Sequence, residues 1–261
     1  MEFRKLLVLR GPNIWANFPV LELWLDLGHL EYRPSNQIPG FNQRLMASLP
    51  TMVEHRCSIG QRGGFFERLR TGTWLGHILE HVTLELQSLA GSVVGFGRTR
   101  ETSEVGVYKV AIEFQDETLA REALHTARRL LLAAIDDQPV AMPAEIGRLR
   151  ALCQKVCLGP STGGICQAAR ARGIPVRRLN AGSLVQFGHG ARQRRILAAE
   201  TDRTGAIAQE IAQDKELTRQ LLRAVGVPAS SDPNHSRTSA TVASAIGRPA
   251  SGVPSSRVPI R

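Results

Sequence analysis

His77-Ile78-Leu79-Glu80-His81 brings two imidazoles and a carboxylate into five residues. Positions four apart share one helical face, so His77 and His81 are placed to hold one metal ion. Glu80 follows His77 by three, within reach of a water at such an ion, whose proton it would take. The order H-x-x-E-H is that of inverted zinc peptidases. Five residues also recur by chance, and the plainer alternative is a hydrogen-bonded polar cluster facing another element.

The elements around this stretch follow from periodicity. Residues 74–89 read as an amphipathic helix, with Leu75, Ile78, Leu79, Val82, Leu86 and Leu89 on its apolar side and Thr71 or Thr73 as its cap. Residues 3–10 and 20–27 read as strands, the second with leucine at 21, 23, 25 and 27. Turn-rich Pro34-Ser35-Asn36 and Ile38-Pro39-Gly40 lead to a helix over 41–49. A strand over 105–114 and a helix over 118–135 follow, stopped by Asp136-Asp137-Gln138-Pro139. A connecting helix covers 144–156. A second unit starts near Leu158, with helices over 164–172, 204–211 and 215–224 and short strands over 176–179, 183–187 and 194–199. The fold class predicted is α/β, with an α+β N-terminal domain over 1–157 and an incomplete α/β segment over 158–228. From 229 to 261 the chain has no Leu, Phe, Tyr, Trp, Met, Lys or Glu. Such a segment cannot bury a core, so a disordered tail is expected.

Composition narrows the classes. The net charge of +10 falls entirely in residues 151–261, since acidic and basic residues balance over 1–150. A basic half suits an anionic ligand, but it lacks the aromatic interleaving of a single-strand binder, so nucleic acid is not expected. No apolar run reaches the ~18 residues a membrane span needs, and the N-terminus lacks a secretory signal. A cytoplasmic protein is expected. The four cysteines form no paired C-x-x-C knuckles, Cys166 included, and Cys153 and Cys157, four apart on a helix, read as small buried thiols.

Several separated segments together resemble cyanophycin synthetase, an ATP-dependent ligase that polymerises aspartate and arginine. They include Arg33-Pro34-Ser35-Asn36, Gly76-His77-Ile78-Leu79-Glu80-His81, Gly95-Phe96-Gly97-Arg98-Thr99-Arg100, Leu158-Gly159-Pro160-Ser161-Thr162 and Gln193-Arg194-Arg195-Ile196. The likeness runs from about residue 1 to about residue 228. It implies an N-terminal domain over 1–157 and the opening of an ATP-grasp domain over 158–228. ATP and Mg would act in later lobes of such an enzyme, and no ATP-binding residue is assigned on this chain. The expectation is a truncated form without ligase activity of its own, its tail read out of frame, with a natural short ending as the alternative. Cyanophycin polymer is the expected ligand. Homo-oligomers or full-length synthetase subunits are the expected partners.

The resemblance also implies a hydrolytic site that clips polymer into primers in some members. On this chain His77 and His81 would be zinc ligands and Glu80 the base. Cys57 is a candidate third ligand, leaving one position for water. The pattern associated with that site has a second cysteine where this chain has Gln61, a poor zinc ligand. Arg98 and Arg100, on a flexible loop, are candidates to grip the polymer's free carboxylate through bidentate pairing. A surface turn with solvated arginines is the alternative there.

Overall fold

A computed structural model describes residues 1–229 apart from Ser58 and Ala199. The Ser/Pro/Arg-rich stretch expected to be disordered lies outside these residues from Ser230 onward. The described chain mixes helices with antiparallel sheet, the α/β class expected. It divides into one compact unit over 1–193 and a second beginning at Arg194.

In the first unit β1 (Glu2–Leu9) pairs antiparallel with β2 (Val20–Asp26). Helices α1 (Phe41–Ser48), α2 (Gly64–Thr71) and α3 (Leu75–Leu89) follow. The chain then returns through β3 (Gly97–Glu101) and β4 (Val107–Glu113). The order across the sheet is β1-β2-β4-β3, every pair antiparallel. Alternation along each strand divides the two faces. Leu23 and Leu25 of β2 and Val110 and Ile112 of β4 point toward the helices and are fully buried. Glu22, Trp24 and Lys109 take the other parity, with Lys109 Nζ 4.6 Å above the Trp24 ring.

Against the first face lie α3 and then α4 (Glu117–Ile135). Leu75, Ile78, Leu79, Val82 and Leu86 are all fully buried, so the leucine periodicity of α3 has its cause in this packing. The first turn of α4 is closed by Asp116, whose carboxylate accepts from Thr118 and Leu119 N–H. The cap of α3 differs from the sequence expectation. Trp74 is the N-cap residue and no side chain caps it; Thr73 turns to His77 instead.

The unit continues through α5 (Met142–Val156), α6 (Pro160–Ala171) and the antiparallel pair β5 (Val176–Arg178) and β6 (Leu184–Phe187). Cys153 and Cys157 sit one turn apart, the Cys153 thiol donating to Cys157 Sγ at 3.1 Å with no disulfide between them. The second unit contains the pair β7 (Arg194–Leu197) and β8 (Glu200–Thr201), then α7 (Ala206–Gln213) and α8 (Lys215–Ala224). Among the described residues no helix is long and apolar enough to cross a membrane.

Candidate metal centre

The 3-10 turn Pro50–Glu54 and the first turn of α2 hold the segment that carries Cys57. Phe65 N–H donates to the His55 carbonyl at 3.1 Å, and Gly63 N–H to the Val53 carbonyl at 2.6 Å. Gly63 has φ +87°, which L side chains rarely adopt, and it turns the chain into α2. Gly64 is required for a different reason. A Cβ there would lie 2.3 Å from the Cys57 carbonyl oxygen, so only glycine lets α2 approach the ligand segment.

Facing this segment is one stripe of α3 and its N-terminal flank. Thr73, His77, His81 and Glu85 recur every four residues and all engage the same cluster. His77 Nε2 lies 3.2 Å from Cys57 Sγ and 3.1 Å from His81 Nε2. One ligand atom from each of Cys57, His77 and His81 falls within 4.8 Å of the other two. A tetrahedral zinc ion with ordinary bond lengths would set N···N at ~3.3 Å and S···N at ~3.6 Å. The two spacings measured from His77 are a few tenths of an ångström shorter than these, and a thiolate with two imidazoles is a donor set that suits zinc.

The outer nitrogens are also engaged. His77 Nδ1 is 2.9 Å from Thr73 Oγ1. His81 Nδ1 is 2.8 Å from His55 Nδ1, and His55 Nε2 is 2.8 Å from Glu85 Oε2. Thr51 Oγ1 donates to the other Glu85 oxygen. The Phe65 ring, fully buried, lies 4.4 Å from the His81 ring and packs against it. Burial lowers His77 to about 4, helped by Arg68, and lowers His81 to about 2, helped by its two histidine neighbours. Both imidazoles are therefore neutral, the form that ligates a metal. Burial works to raise the Glu85 carboxyl, but hydrogen bonds from His55 and Thr51 outweigh it and hold it below its usual range.

Glu80 occupies the neighbouring stripe, which faces β3. Its Oε2 accepts from Thr99 Oγ1 at 2.7 Å, and its side chain is buried against Gly97. Burial raises its carboxyl to about 7, against the opposing pull of Thr99 and Arg98. Gly97 is a tight fit here, since a Cβ would meet Glu80 Oε1 at 2.4 Å and Cγ at 2.5 Å. Gly97→Ala is expected to displace the carboxylate from Thr99 and to cost about 1–3 kcal/mol, as overpacking does. A urea titration of the variant checks this; unchanged stability would mean that Glu80 moves aside freely.

A cavity of about 450 Å³ adjoins the cluster, lined in part by Cys57, Arg68, Thr73, His77, Thr99 and Tyr108. Two donors and the partner of Glu80 therefore border one open space. Arg98 and Arg100 are not on a loop as the sequence suggested. They lie on edge strand β3, opposite Ala111 and Lys109, because antiparallel pairing absorbs the stretch after Phe96. Arg100 borders the same cavity and sits 5.4 Å from the Trp15 ring centre, whereas Arg98 acts on Glu80 through its charge. Gln61 is exposed, its carbonyl accepting from Gly64 N–H.

Sequence reasoning missed His55, Glu85, Thr51 and Thr73 as parts of this centre. Glu85 was findable, since it continues the His77–His81 stride of four. His55 has only its closeness to Cys57 to mark it, as the turn that aims it inward is a tertiary feature.

Residues 22–136 match the family described as Cyanophycin synthase-like N-terminal domain. Over 233 residues, 87% of this chain, the sequence is 46% identical to the cyanophycin synthetases of Trichormus variabilis and a Nostoc species. It is 45% identical to that of a Synechocystis species over the same length. The chain spans about a quarter of those relatives' length, 26% to 27%.

Proposed function

We propose, from the premise that residues 22–136 belong to the cyanophycin synthase-like N-terminal domain family, that this chain is a polymer-handling module with one zinc ion on Cys57, His77 and His81. The gathering of one sulfur and two imidazole nitrogens within 4.8 Å of one another carries this reading. Softness supports zinc over magnesium or calcium, which prefer all-oxygen sets. The family reaction is the ATP-dependent joining of aspartate and arginine into cyanophycin. In this reading residues 1–157 form the N-terminal domain and 158–228 the start of an ATP-grasp domain. The isolated chain binds polymer in the cytoplasm, alone or with synthetase subunits, and does not extend it. Incubation with ATP, Mg²⁺, both amino acids and polymer primer is expected to give no chain growth.

Glu80 favours a second activity, cleavage of the same polymer. Zinc at this centre would supply Lewis acidity toward an amide carbonyl. Thr99 orients the Glu80 carboxyl, and burial brings it to about 7. A carboxyl with that value, reached by a water at the centre, would take the water's proton and return it to the leaving amine near neutral pH. Arg68 and Arg100 border the cavity and can pair with a free carboxylate of the polymer. Glu80→Gln is expected to lower polymer cleavage by a factor of about 10²–10⁴ while zinc content stays at one per chain. Equal cleavage by both proteins, or none by either, removes the hydrolytic reading and leaves the zinc reading to metal analysis.

A further inference from the structure

Each imidazole ligand has a second nitrogen, and what that nitrogen touches decides which tautomer the ring adopts. His77 has a hydroxyl there, Thr73 Oγ1, which can donate or accept. His81 has no such freedom. Its Nδ1 meets another imidazole nitrogen, His55 Nδ1, at 2.8 Å. His55 is in turn fixed by Glu85, a carboxylate that only accepts, through Nε2 at 2.8 Å. Thr51 fills the remaining Glu85 oxygen from outside, so the carboxylate is held on both sides.

Following the protons inward gives one answer. Ionised Glu85 accepts, so His55 Nε2 carries a hydrogen. With that as the ring's one hydrogen, His55 Nδ1 offers a lone pair. His81 Nδ1 must donate to it, which leaves His81 Nε2 without hydrogen and with its lone pair toward Cys57 and His77. Without His55, either nitrogen of His81 can hold the hydrogen, and one of the two forms blocks the ion. Phe65 packs 4.4 Å from His81 and restrains the ring plane, but a hydrocarbon ring sets no tautomer.

We propose that His55, anchored by Glu85 and Thr51, is a positioning residue that locks His81 in the tautomer whose Nε2 faces the metal position. The inference rests on the zinc reading for its purpose, while the tautomer itself exists without metal. His55 does not touch the ion's place: its two ring nitrogens are engaged by His81 and Glu85.

The test uses the whole chain, ¹⁵N-labelled at histidine, stripped of metal and held at pH 8. Long-range ¹H–¹⁵N correlation spectra assign each ring's tautomer. His81 is expected as the Nδ1–H form in the parent protein and in His55→Asn, whose Oδ1 replaces the lost lone pair. In His55→Ala a mixture containing the Nε2–H form is expected. Zinc affinity, read by competition with a chromophoric chelator, is expected to fall about 10–100-fold in His55→Ala, the usual cost of losing such a partner. His55→Asn should recover most of it. An Nε2–H tautomer of His81 in the parent protein overturns the proposal, whichever variants fold. Equal losses of affinity in the alanine and asparagine variants overturn it too, reducing His55 to packing. If the parent protein binds no zinc, the zinc reading fails by itself, and the tautomer spectra still decide the role of His55.

Discussion

Zinc at a thousand times its dissociation constant is expected to raise the melting temperature of this chain by roughly 8–16 °C. A ligand that binds only the folded state at that excess contributes about 4 kcal/mol, and each kcal/mol moves a domain of this size by about 2–4 °C. The three donors come from parts of the chain that meet only on folding, because Cys57 precedes α2 while His77 and His81 lie within α3. The unfolded chain keeps the two histidines near each other but has no fixed thiolate to complete the set. Cys57→Ser should therefore remove most of the shift, since a hydroxyl of the same shape is a far poorer zinc ligand than a thiolate. His77→Ala should remove it as well. Mg²⁺ should give no shift in any of the three proteins. Differential scanning calorimetry with and without metal reads all of these. A parent protein whose melting point ignores zinc would reduce the cluster to a hydrogen-bonded histidine group, the alternative open at the level of sequence.

That alternative stays open from sequence because a four-residue stride says which residues share a face and nothing about what faces them. The leucines of α3 and β2 fix the helix, the strand and their buried sides, since burial imposes its own period on the letters. His77, His81 and Glu85 can be placed on one stripe by the same count. The partner segment cannot, because it depends on Gly64 letting α2 approach the Cys57 carbonyl. That contact has no local signature beyond a pair of glycines. Edge strand β3 was hidden for a related reason. Arg98, Thr99 and Arg100 are polar, and only their pairing with Ala111, Val110 and Lys109 makes them a strand. The same pairing puts Thr99 beside Glu80, so the environment of that carboxylate follows from the sheet order and not from local sequence.

Glu80→Gln is expected to make the metal-free protein more stable at pH 8 by about 3 kcal/mol and no more stable at pH 4. The Glu80 carboxyl has its folded value near 7, raised by burial above the ordinary 4.5. Between those two values the native state binds the proton more tightly than the unfolded chain does. Stability contributed by Glu80 is therefore full below about pH 4.5 and is lost as pH rises through 7. Above 7 the folded protein carries a buried charge that only Thr99 and Arg98 offset. Glutamine has no charge to bury, and its carbonyl can still accept from Thr99. His77 and His81 act in the opposite sense. Their folded values are depressed below 6.5, so protonating them as pH falls favours unfolding, and stability is gained as pH rises back to 6.5. Both proteins share that contribution, so it cancels in the difference between them. Urea midpoints in the presence of a chelator, taken from pH 4 to pH 8.5, give the curve directly. A difference that is flat with pH, or that favours the parent protein at pH 8, would show that Glu80 ionises normally and is not poised for proton transfer. If the difference opens between pH 4.5 and 7, the substitution expected to silence cleavage is also the one that relieves strain. That pairing separates a working carboxylate from a packed one, because a residue kept only for packing has no reason to be held at a cost to the fold.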